Sequence, residues 1–392
     1  MIDRDTIYIS PARTGTTGAA PAPRRALIVS ADIGAGHNSA GRALEEAMAR
    51  AWPGCQVCWL DALAAIGPGF GPLARAFYIA QIRHVPRMYE FCFSAMWRHR
   101  WYLESVRRGI GSWFGRRMGP RIRALDPDVI VSTYPLGSAG LSWLRRHGKL
   151  AVPAGAWIPA FCPHPSWLYR DLDITFVMHP VAAAAAARTE PGLRVAVGAL
   201  PVRDAFALGD RAAARAGLGI EAGRFTVALC TGSLAFGRVG RAVDALLAAG
   251  PDVQVIVTCG RNRRLREELA GRAERPGRLR VLGWTDDMPG LMAAADVVVG
   301  NAGGATGLEA LASGRPVIMF EPIAGHGRAN AELMAASGLA LLAWSPAELT
   351  GTVGRLAADP GAVAQLAELA LARATDRRRE QDLADLVAVA TR

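Results

Sequence analysis

The chain has 392 residues, which corresponds to about two domains of roughly 150 residues each. Hydrophobic residues make up 51% and charged residues 20% of it, a composition that excludes a disordered or fibrous protein. The formal net charge is +11, but Lys149 is the single lysine and every other basic residue is arginine. Because this bias indicates coding composition more than function, basicity alone does not predict nucleic-acid binding.

The cysteines, the apolar runs and the N-terminal segment indicate the cellular compartment in which the protein is expected. Six cysteines share no spacing that completes a zinc site or a disulfide framework, so we interpret them as free thiols in a reducing compartment. No apolar run approaches the ~18 residues of a membrane span, and no secretory signal is evident. Residues 1–24, rich in Pro, Gly, Thr and Ala, are predicted to be a flexible N-terminal tail. We therefore expect a cytoplasmic protein, with the inner face of the cell membrane as a peripheral location.

Beyond the tail, apolar runs and helical patterns alternate. A buried strand over 26–31 leads through a glycine loop to a helix over 40–51. Further strands are predicted at 56–61, 129–133, 151–158, 225–230, 253–259, 279–283, 296–300 and 316–320. Further helices are predicted at 239–249, 263–272, 287–294, 307–312, 329–336 and 377–389. This alternation predicts the α/β class, with two doubly wound Rossmann-like domains facing across a cleft.

The periodicity lapses near residues 198–203, which places the domain boundary there. An N-terminal domain over 25–200 and a C-terminal domain over 201–376 follow. The remaining helical stretch, 377–392, would pack on either domain, and the sequence leaves that choice open.

The strongest candidate site is a glycine-rich loop that follows a strand and opens a helix. The N–H groups of Gly303, Gly304 and Ala305, together with the helix dipole, suit a diphosphate. Thr306 adds a hydroxyl donor, and Glu309 can accept hydrogen bonds from a ribose diol. The alternative is a tight strand–helix turn with a solvated glutamate, because short glycine motifs are common.

Three more loops follow predicted strands at the same rim: 321–330, which carries a His, an Arg and an Asn, 231–237 and 259–262. Four loops on one rim indicate a ligand site. The first strand is not followed by GxGxxG, and GxxxxGK[ST] occurs nowhere, so neither a dinucleotide site nor a P-loop is favoured.

Two sets of motifs resemble a known family. Gly303-Gly304-x-Thr306-x-x-Glu309, followed by Gly325-His326-Gly327-x-x-Asn330, resembles the donor half of GT-B glycosyltransferases. The segment Gly34-Ala35-Gly36-His37 resembles the branch with monogalactosyldiacylglycerol synthases and processive diacylglycerol glucosyltransferases; the lipid II-forming N-acetylglucosamine transferase is a more distant relative. The resemblance runs from about residue 25 to 345, with the motifs in the same order.

The resemblance implies a UDP-sugar donor bound by the C-terminal domain, with no cofactor and no metal. In this family, the loop matched by Gly232 and Ser233 lies under the diphosphate, and the position of Trp284 is where the backbone contacts the base. Glu309 matches the carboxylate that binds the ribose, and the 326–330 motif matches the loop that faces the sugar and the distal phosphate. The implied donor-binding residues are Gly232, Ser233, Arg261, Trp284, Gly303, Gly304, Ala305, Thr306, Glu309, His326, Gly327 and Asn330.

A hydroxyl acceptor needs a base, and His37 is the candidate because it lies in a glycine loop after a strand and titrates near neutral pH. The resemblance implies the same role. The alternative is a histidine that caps the following helix, although Asn38 and Ser39 already supply capping groups. Gly36 and Asn38 beside it are candidates for acceptor binding.

A second acceptor segment is proposed over 157–167, with His164 and Trp167 as candidate contacts to a sugar or headgroup. The family pattern has Thr-Asp where this chain has Pro159-Ala160, so a carboxylate usual near the acceptor is missing. Alternatively, the prolines simply make this segment a rigid loop.

The segment 75–123 concentrates charge and rings. It contains eleven arginines, two glutamates and ten aromatic residues. Such a composition suits the headgroup boundary of an anionic membrane, and in related enzymes this region docks on the membrane. An ordinary helical insertion with inward-packed rings is the alternative. Nucleic acid could use the same composition, but no nucleic-acid motif accompanies it, so we expect none as a partner.

The sequence therefore predicts an inverting glycosyltransferase that moves a sugar from a UDP-sugar to the hydroxyl of a membrane-associated, diacylglycerol-like lipid. One alternative is the same enzyme with a soluble nucleoside or specialised-metabolite acceptor. Another is a basic peripheral membrane or nucleic-acid binding module without catalysis. UDP-sugar 2-epimerase chemistry is disfavoured by Gly34-Ala35-Gly36-His37.

Overall fold

A computed structural model describes residues 7–9, 22–207, 209–272, 277–302 and 304–390. The chain divides into two compact units. The first unit runs to Arg203 and also includes the residues from Arg377 onward, and the second covers Asp204–Asp376. Each unit is a doubly wound sheet covered by helices, parallel except for one edge strand of the first unit, which confirms the predicted α/β class.

The sheet of the first unit is built from short strands. They are β1 (Ile7–Ile9), β2 (Arg25–Ser30), β3 (Gln56–Asp61), β4 (Val129–Ser132), β5 (Ala154–Trp157), β6 (Ile174–Val177) and β7 (Val195–Val197). Their order is β1-β3-β2-β4-β5-β6-β7, and β1 alone runs antiparallel to its neighbour. Residues 26–30 of β2 are buried, as expected for a strand covered on both faces.

The strand order reverses between β2 and β4, so the loops after these two strands mark the switch point where doubly wound sheets bind ligands. The helices around this sheet are α1 (Ala35–Ala51), α2 (Phe70–His84), α3 (Pro86–Arg98), α4 (Arg100–Leu125), α5 (Pro135–Arg146) and α6 (Pro180–Thr189). Helix α1 begins at Ala35 rather than near residue 40, because Gly34 takes an extended N-cap conformation.

The second unit repeats the plan. Its strands are β8 (Phe225–Cys230), β9 (Val253–Thr258), β10 (Leu279–Leu282), β11 (Val297–Gly300), β12 (Val317–Phe320) and β13 (Leu341–Ala343). All pairs are parallel in the order β10-β9-β8-β11-β12-β13, which places the switch point between β8 and β11.

Eight helices flank this sheet in the described part of the chain. They are α7 (Arg211–Leu218), α8 (Val239–Leu247), α9 (Arg263–Gly271), α10 (Met288–Ala294), α11 (Ala305–Ala312), α12 (His326–Ala336), α13 (Pro346–Ala358) and α14 (Pro360–Thr375). The edge strand β13 was not predicted from sequence, since three residues are too few for a periodicity to show.

The last helix, α15 (Arg379–Ala390), belongs to the first unit. The fully buried Asp382 accepts the Ala199 N–H at 2.6 Å, and Arg379 donates to the Val202 carbonyl at 2.6 Å. Leu386 packs against Gly155, where a Cβ would lie 3.0 Å from its methyl carbon. The C-terminal helix therefore packs on the first unit, a choice that the sequence had left open.

Most of the predicted flexible tail lies outside the described residues. Within it, Ile7–Ile9 form β1 and pair antiparallel with β3 from Ile7↔Leu60 to Ile9↔Cys58. The sequence analysis missed this edge strand inside a Pro- and Gly-rich segment. The six cysteines are free thiols, as predicted. Across the described residues, the helices include none with the length and hydropathy needed to cross a bilayer.

Candidate glycosyl-transfer half-sites

His37 lies at the switch point of the first unit. It is the third residue of α1, and its Nδ1 donates to the Thr133 carbonyl just after β4, at 2.7 Å. The Thr133 hydroxyl donates in return to the His37 carbonyl, at 3.1 Å. These two hydrogen bonds fix the ring against the end of the neighbouring strand.

The hydrogen bond also sets the tautomer of His37. A carbonyl only accepts, so Nδ1 carries the proton and Nε2 keeps its lone pair. Burial lowers the pKa of His37 to about 4, and the bond to Thr133 opposes that shift. The ring is therefore neutral at physiological pH, and Nε2 has the form that a general base requires.

Two aromatic side chains enclose this ring. Tyr134 meets it edge-on with ring centroids 5.1 Å apart, and Trp167 lies 5.9 Å away. The structure thus brings Trp167, a candidate acceptor contact, next to His37. Tyr134 was not singled out from sequence, because its neighbours form an ordinary strand end.

The helix-capping alternative for His37 does not fit the structure. The N-cap is Gly34, without a side-chain hydrogen bond, and the His37 ring bonds another strand rather than the helix terminus. Asn38 is not a cap either: Ser30 donates to its Oδ1 at 2.7 Å. Gly36 and Asn38 lie in the first turn of α1, beside His37.

His164, the other candidate acceptor contact of the 157–167 segment, has protein partners at both ring nitrogens. Its side chain is buried, with 4% exposed, and its ring stacks on Phe93 at 3.8 Å. Nε2 lies 3.0 Å from the Phe93 carbonyl, and Nδ1 lies 2.7 Å from the Ser166 hydroxyl. Because both ring nitrogens are engaged, His164 joins α3 to the 157–167 segment.

The carboxylates near the start of α1 have structural partners. Asp61 accepts the N–H groups of Leu63 and Ala64 at 2.8 and 2.9 Å, and also that of Asp32 at 3.0 Å. The side chain of Asp32 forms an ion pair with Arg75. Ala160, in the place of the family's carboxylate, leaves no acid there, so His37 is the base candidate of this half-site.

In the second unit, hydrogen bonds join the four glycine-containing loops. Asn301, after β11, donates to the Phe236 carbonyl at 2.6 Å, and its own carbonyl accepts the Ile323 N–H at 2.9 Å. The Arg261 N–H donates to the Ser233 carbonyl at 3.0 Å. The loops therefore meet, and Asn301, which the sequence analysis did not select, links three of them.

Two glycines are required where these loops touch. Gly260 has φ +52°, and a Cβ there would lie 2.5 Å from the Ser233 carbonyl oxygen. A Cβ on Gly327 would overlap Ile323 and lie 3.0 Å from the Asn301 carbonyl oxygen. Gly232, at the end of β8, has φ +76°.

Helix α11 starts beside the switch point of this sheet. Gly304 is its N-cap and makes no side-chain capping bond, so the first N–H groups, from Ala305 and Thr306, have no cap of that kind. Gly303 lies outside the described residues. Glu309 is 8% exposed. Burial is the main cause of the raised pKa of Cys230 at the end of β8, and the nearby charge of Glu309 raises that pKa further.

The predicted sugar-facing loop begins α12. Gly325 is the N-cap with φ 70°, and His326 is the first helical residue. Asn330 is buried, and its amide donates to the Ala302 carbonyl at 3.3 Å. Asn330 thus holds the loop after β11, a contact that spacing alone did not reveal.

A groove of about 940 Å³ opens beside β9 and β10. Trp284 lines it with 45% of its surface exposed, and the Arg261 guanidinium lies over its ring at 4.4 Å. The Trp284 indole donates to Asp286 at 3.0 Å. Trp284, predicted at the base end of the donor, is therefore in contact with Arg261, another predicted donor-binding residue.

Aspartate pairs of the Asp-x-Asp type occur in the first unit at 126/128 and 171/173, and the carboxylates of Asp128, Asp171 and Asp173 bind protein groups. Asp128 accepts the N–H groups of Arg24 and Arg25 at 2.7 and 2.9 Å. Asp171 accepts the Ser142 hydroxyl at 2.6 Å, and Asp173 accepts the Ala154 N–H at 2.7 Å. These contacts assign the pairs to strand and helix ends.

Comparison with known proteins identifies both halves of the chain. Residues 37–193 match the family model of monogalactosyldiacylglycerol (MGDG) synthase, and residues 226–354 match the glycosyltransferase family 28 C-terminal domain. Processive diacylglycerol beta-glucosyltransferases from Bacillus cereus and Bacillus thuringiensis are 26% identical over 268 and 275 residues. Each alignment covers 66% of this chain and 68% of the relative.

Solved structures resemble the whole chain in fold. The glycosyltransferase SnogD from Streptomyces nogalater has a TM-score of 0.59 at 20% identity, over 93% of this chain and 99% of its own. MurG from Acinetobacter baumannii has a TM-score of 0.55 at 16% identity, over 93% and 99%. These likenesses confirm the GT-B fold. The chain is therefore a glycosyltransferase that is similar to MGDG synthases over residues 37–193 and to the family 28 C-terminal domain over residues 226–354.

Proposed function

We propose that this glycosyltransferase moves a sugar from UDP to the hydroxyl of a membrane-associated, diacylglycerol-like lipid, with inversion at the anomeric carbon. Nε2 of His37 takes the proton of the acceptor hydroxyl while the acceptor oxygen bonds to the anomeric carbon. The bond from that carbon to the distal phosphate oxygen breaks, and UDP leaves. The observation that carries this mechanism is the His37–Thr133 hydrogen bond, which leaves Nε2 as the basic nitrogen.

Inversion follows from a single displacement. A retaining double displacement needs a carboxylate nucleophile, whereas the first-unit half-site offers a neutral histidine, and Asp61 and Asp32 have their own partners. The lone base supports direct attack by the acceptor.

The donor half rests on the loops of the second unit. The N-terminus of α11 and the backbone of Gly232 and Ser233 would meet the diphosphate charge without a metal ion. Glu309 would accept the ribose hydroxyls, and Arg261 with Trp284 would face the base.

The lipid acceptor is supported by α2–α4 of the first unit. Large apolar side chains of these helices stand in solvent: Leu73, Phe77, Val85, Met88, Phe91, Trp97, Trp101 and Trp113. Arginines and two glutamates share the segment 75–123, which adds a net positive charge. Exposed rings amid arginines suit the headgroup region of an anionic bilayer, so we propose a peripheral membrane location. The relatives named as diacylglycerol glucosyltransferases support the same acceptor class.

A soluble acceptor is the second candidate, because Ala160 replaces the acidic residue of the family pattern. The deciding experiment measures UDP release for several UDP-sugars crossed with diacylglycerol vesicles and with soluble nucleosides and polyketide-like alcohols. Turnover that requires the vesicles supports the lipid acceptor. Equal turnover with a soluble alcohol and without vesicles would contradict it. A donor screen without UDP release from any UDP-sugar would contradict the donor assignment.

A further inference from the structure

The groove beside β9 and β10 is lined by more positive charge than a nucleobase needs. Arg261, Arg263, Arg266 and Arg280 all line it, together with Trp284. All four arginines are exposed, and the Arg266 side chain lies over Gly283, within 3.4 Å of where a Cβ would be. Four arginines therefore line one concave surface.

These arginines differ from others of the same unit in their partners. Arg215, Arg224 and Arg238 form ion pairs with carboxylates. Among the residues that the structure describes, no carboxylate forms an ion pair with any of the four groove arginines. Each therefore keeps its guanidinium donors for a ligand or for water.

Two of these arginines, Arg263 and Arg266, lie near the N-terminus of α9, where a positive charge is electrostatically unfavourable. Arg263 is the first residue of α9, and Arg266 follows one turn later, with Asn262 as the N-cap. The helix N-terminus is the positive end of the helix dipole, so cations there are unfavourable and anions favourable. A bound anion would offset both the dipole and the repulsion among the guanidinium groups.

We propose that Arg263, Arg266 and Arg280 form a binding site for a ligand that carries a phosphomonoester. A phosphomonoester has a charge of about −1.5 to −2 at pH 7 and three acceptor oxygens, whereas a carboxylate carries a single charge. Planar guanidinium forks match phosphate oxygens in pairs. A dianion therefore suits three arginines on one groove better than a carboxylate does.

The site is separate from the loops proposed for the donor diphosphate. Those loops follow β8, β11 and β12, while the arginines belong to α9 and β10 at the edge of the sheet. With strands about 4.8 Å apart, β10 lies about 10 Å from β8 and about 14 Å from β11. Arg261 and Trp284 also line the groove but are proposed to face the donor base, so the phosphate site is assigned to the other three arginines of its wall.

The test titrates the full chain, saturated with UDP, with glycerol 3-phosphate in a calorimeter. We compare the wild type with the double variant Arg266→Gln/Arg280→Gln. The matched control is Arg264→Gln, an exposed arginine of α9 that does not line the groove. We expect saturable binding that weakens at least tenfold in the double variant and less than twofold in the control. A parallel arm measures binding of the same proteins to phosphatidylcholine vesicles with and without phosphatidic acid.

The two arms separate the sources of the phosphate. Weaker binding of glycerol 3-phosphate by the double variant supports a soluble ligand. If only the binding to phosphatidic acid vesicles is weaker, the ligand is a lipid headgroup. The comparison with Arg264→Gln cancels any contribution of α2–α4 to vesicle binding. An equal loss in the control, or no difference in either arm, overturns the site. An equal loss of UDP affinity in the double variant would assign the arginines to the donor, and would leave the proposed function intact.

Discussion

His37 and Thr133 exchange two hydrogen bonds across the switch point of the first sheet, although 96 residues separate them in the chain. The ring Nδ1 donates to the Thr133 carbonyl, and the Thr133 hydroxyl donates to the His37 carbonyl. The exchange ties the first turn of α1 to the end of β4. It fixes both the orientation and the tautomer of the one histidine that the mechanism uses.

Replacing His37 should separate catalysis from donor binding. We expect His37→Ala to lower turnover by roughly a hundredfold to ten-thousandfold, the usual contribution of a general base. The UDP dissociation constant should hardly change, because the donor loops belong to the second unit. UDP release measures the first quantity, and calorimetry with UDP the second.

His147→Gln is the matched control, since His147 is exposed and contacts Trp143 on α5. His164→Ala is the informative comparison: its buried ring should cost stability, seen as a lower Tm, rather than turnover per folded molecule. A large turnover loss in a folded His164→Ala protein with near-normal His37→Ala would transfer the role of base to His164. Near-normal turnover in both would reject a histidine base.

The low pKa of His37 predicts the pH profile. A neutral Nε2 is the active form, so kcat/KM should stay level as pH falls through 6.5, where an ordinary histidine protonates, and should drop near pH 4. Histidine ring NMR of the free enzyme, with His37→Gln to assign the signal, measures the pKa directly. A His37 titration near 6.5 would show that the ring is more hydrated than the structure has it.

The same shift predicts a loss of stability in acid. Below pH 6.5 the unfolded chain protonates this histidine while the folded chain does not, so the free energy of unfolding falls as pH drops from 6.5 towards 4. His37→Gln cannot titrate, and we expect a smaller fall in that variant over this range. Urea unfolding at pH 7.5 and at pH 5 measures the free energy of unfolding of both proteins. An equal fall in that free energy in the wild type and in His37→Gln would contradict the prediction.

The sequence predicted those parts of the site that depend only on residues next to each other in the chain. A glycine loop after a strand is visible in the chain, and so the loops at Gly232, Gly304 and Gly327 and the histidine in Gly34-Ala35-Gly36-His37 could be selected. The start of α1 at Ala35 was missed, since glycines at 34 and 36 are poor helix formers and tertiary contacts decide the start.

Contacts between distant segments could not be predicted. Thr133 acts on His37 through its main-chain carbonyl, which any residue would supply, and Asn301 meets Phe236 across 65 residues. The partners of His164 were equally hidden: it occupies the family's position, and its ring nitrogens contact Phe93 and Ser166. Spacing gives a side chain's place in the chain, whereas packing decides which groups remain for a ligand.

Glu309 should contribute to donor affinity if its carboxylate binds the ribose. Losing a hydrogen-bonded charged partner costs about 1.5–3 kcal/mol, so Glu309→Ala should raise the UDP dissociation constant about tenfold to a hundredfold. Glu309→Gln keeps the shape of this nearly buried side chain and serves as the isosteric variant. An unchanged dissociation constant in folded Glu309→Ala protein would remove Glu309 from the site.

Gly260 should be intolerant of even one added methyl group. Gly260→Ala places a Cβ 2.5 Å from the Ser233 carbonyl oxygen at a φ of +52°, so the loop after β8 must shift. We expect a loss of UDP affinity of about tenfold or more, with a normal global fold. Gly271→Ala is the control, because its Cβ would meet nothing within 4 Å. Equal UDP affinity in the two variants would show that the loop after β8 does not contact the nucleotide.

The exposed rings of α3 and α4 should govern membrane binding. Phe91 and Trp101 are 68% and 71% exposed, so Phe91→Ser and Trp101→Ser should leave the Tm unchanged. Fully burying such a side chain contributes about 1.5–3 kcal/mol, and each change should weaken binding to anionic vesicles by about tenfold or more.

Vesicle flotation measures the binding, with control variants and a salt series that distinguish insertion of these rings from nonspecific hydrophobic adsorption. Trp344→Ser and Leu369→Ser change exposed apolar residues of the second unit and should not alter vesicle binding. Wild-type binding should weaken as salt rises from about 50 to about 500 mM, because the Debye length shortens while the apolar contribution remains. UDP affinity should be the same in all four variants. If the wild type ignores anionic vesicles even at low salt, the lipid acceptor loses its main structural support and the soluble acceptor becomes the better proposal.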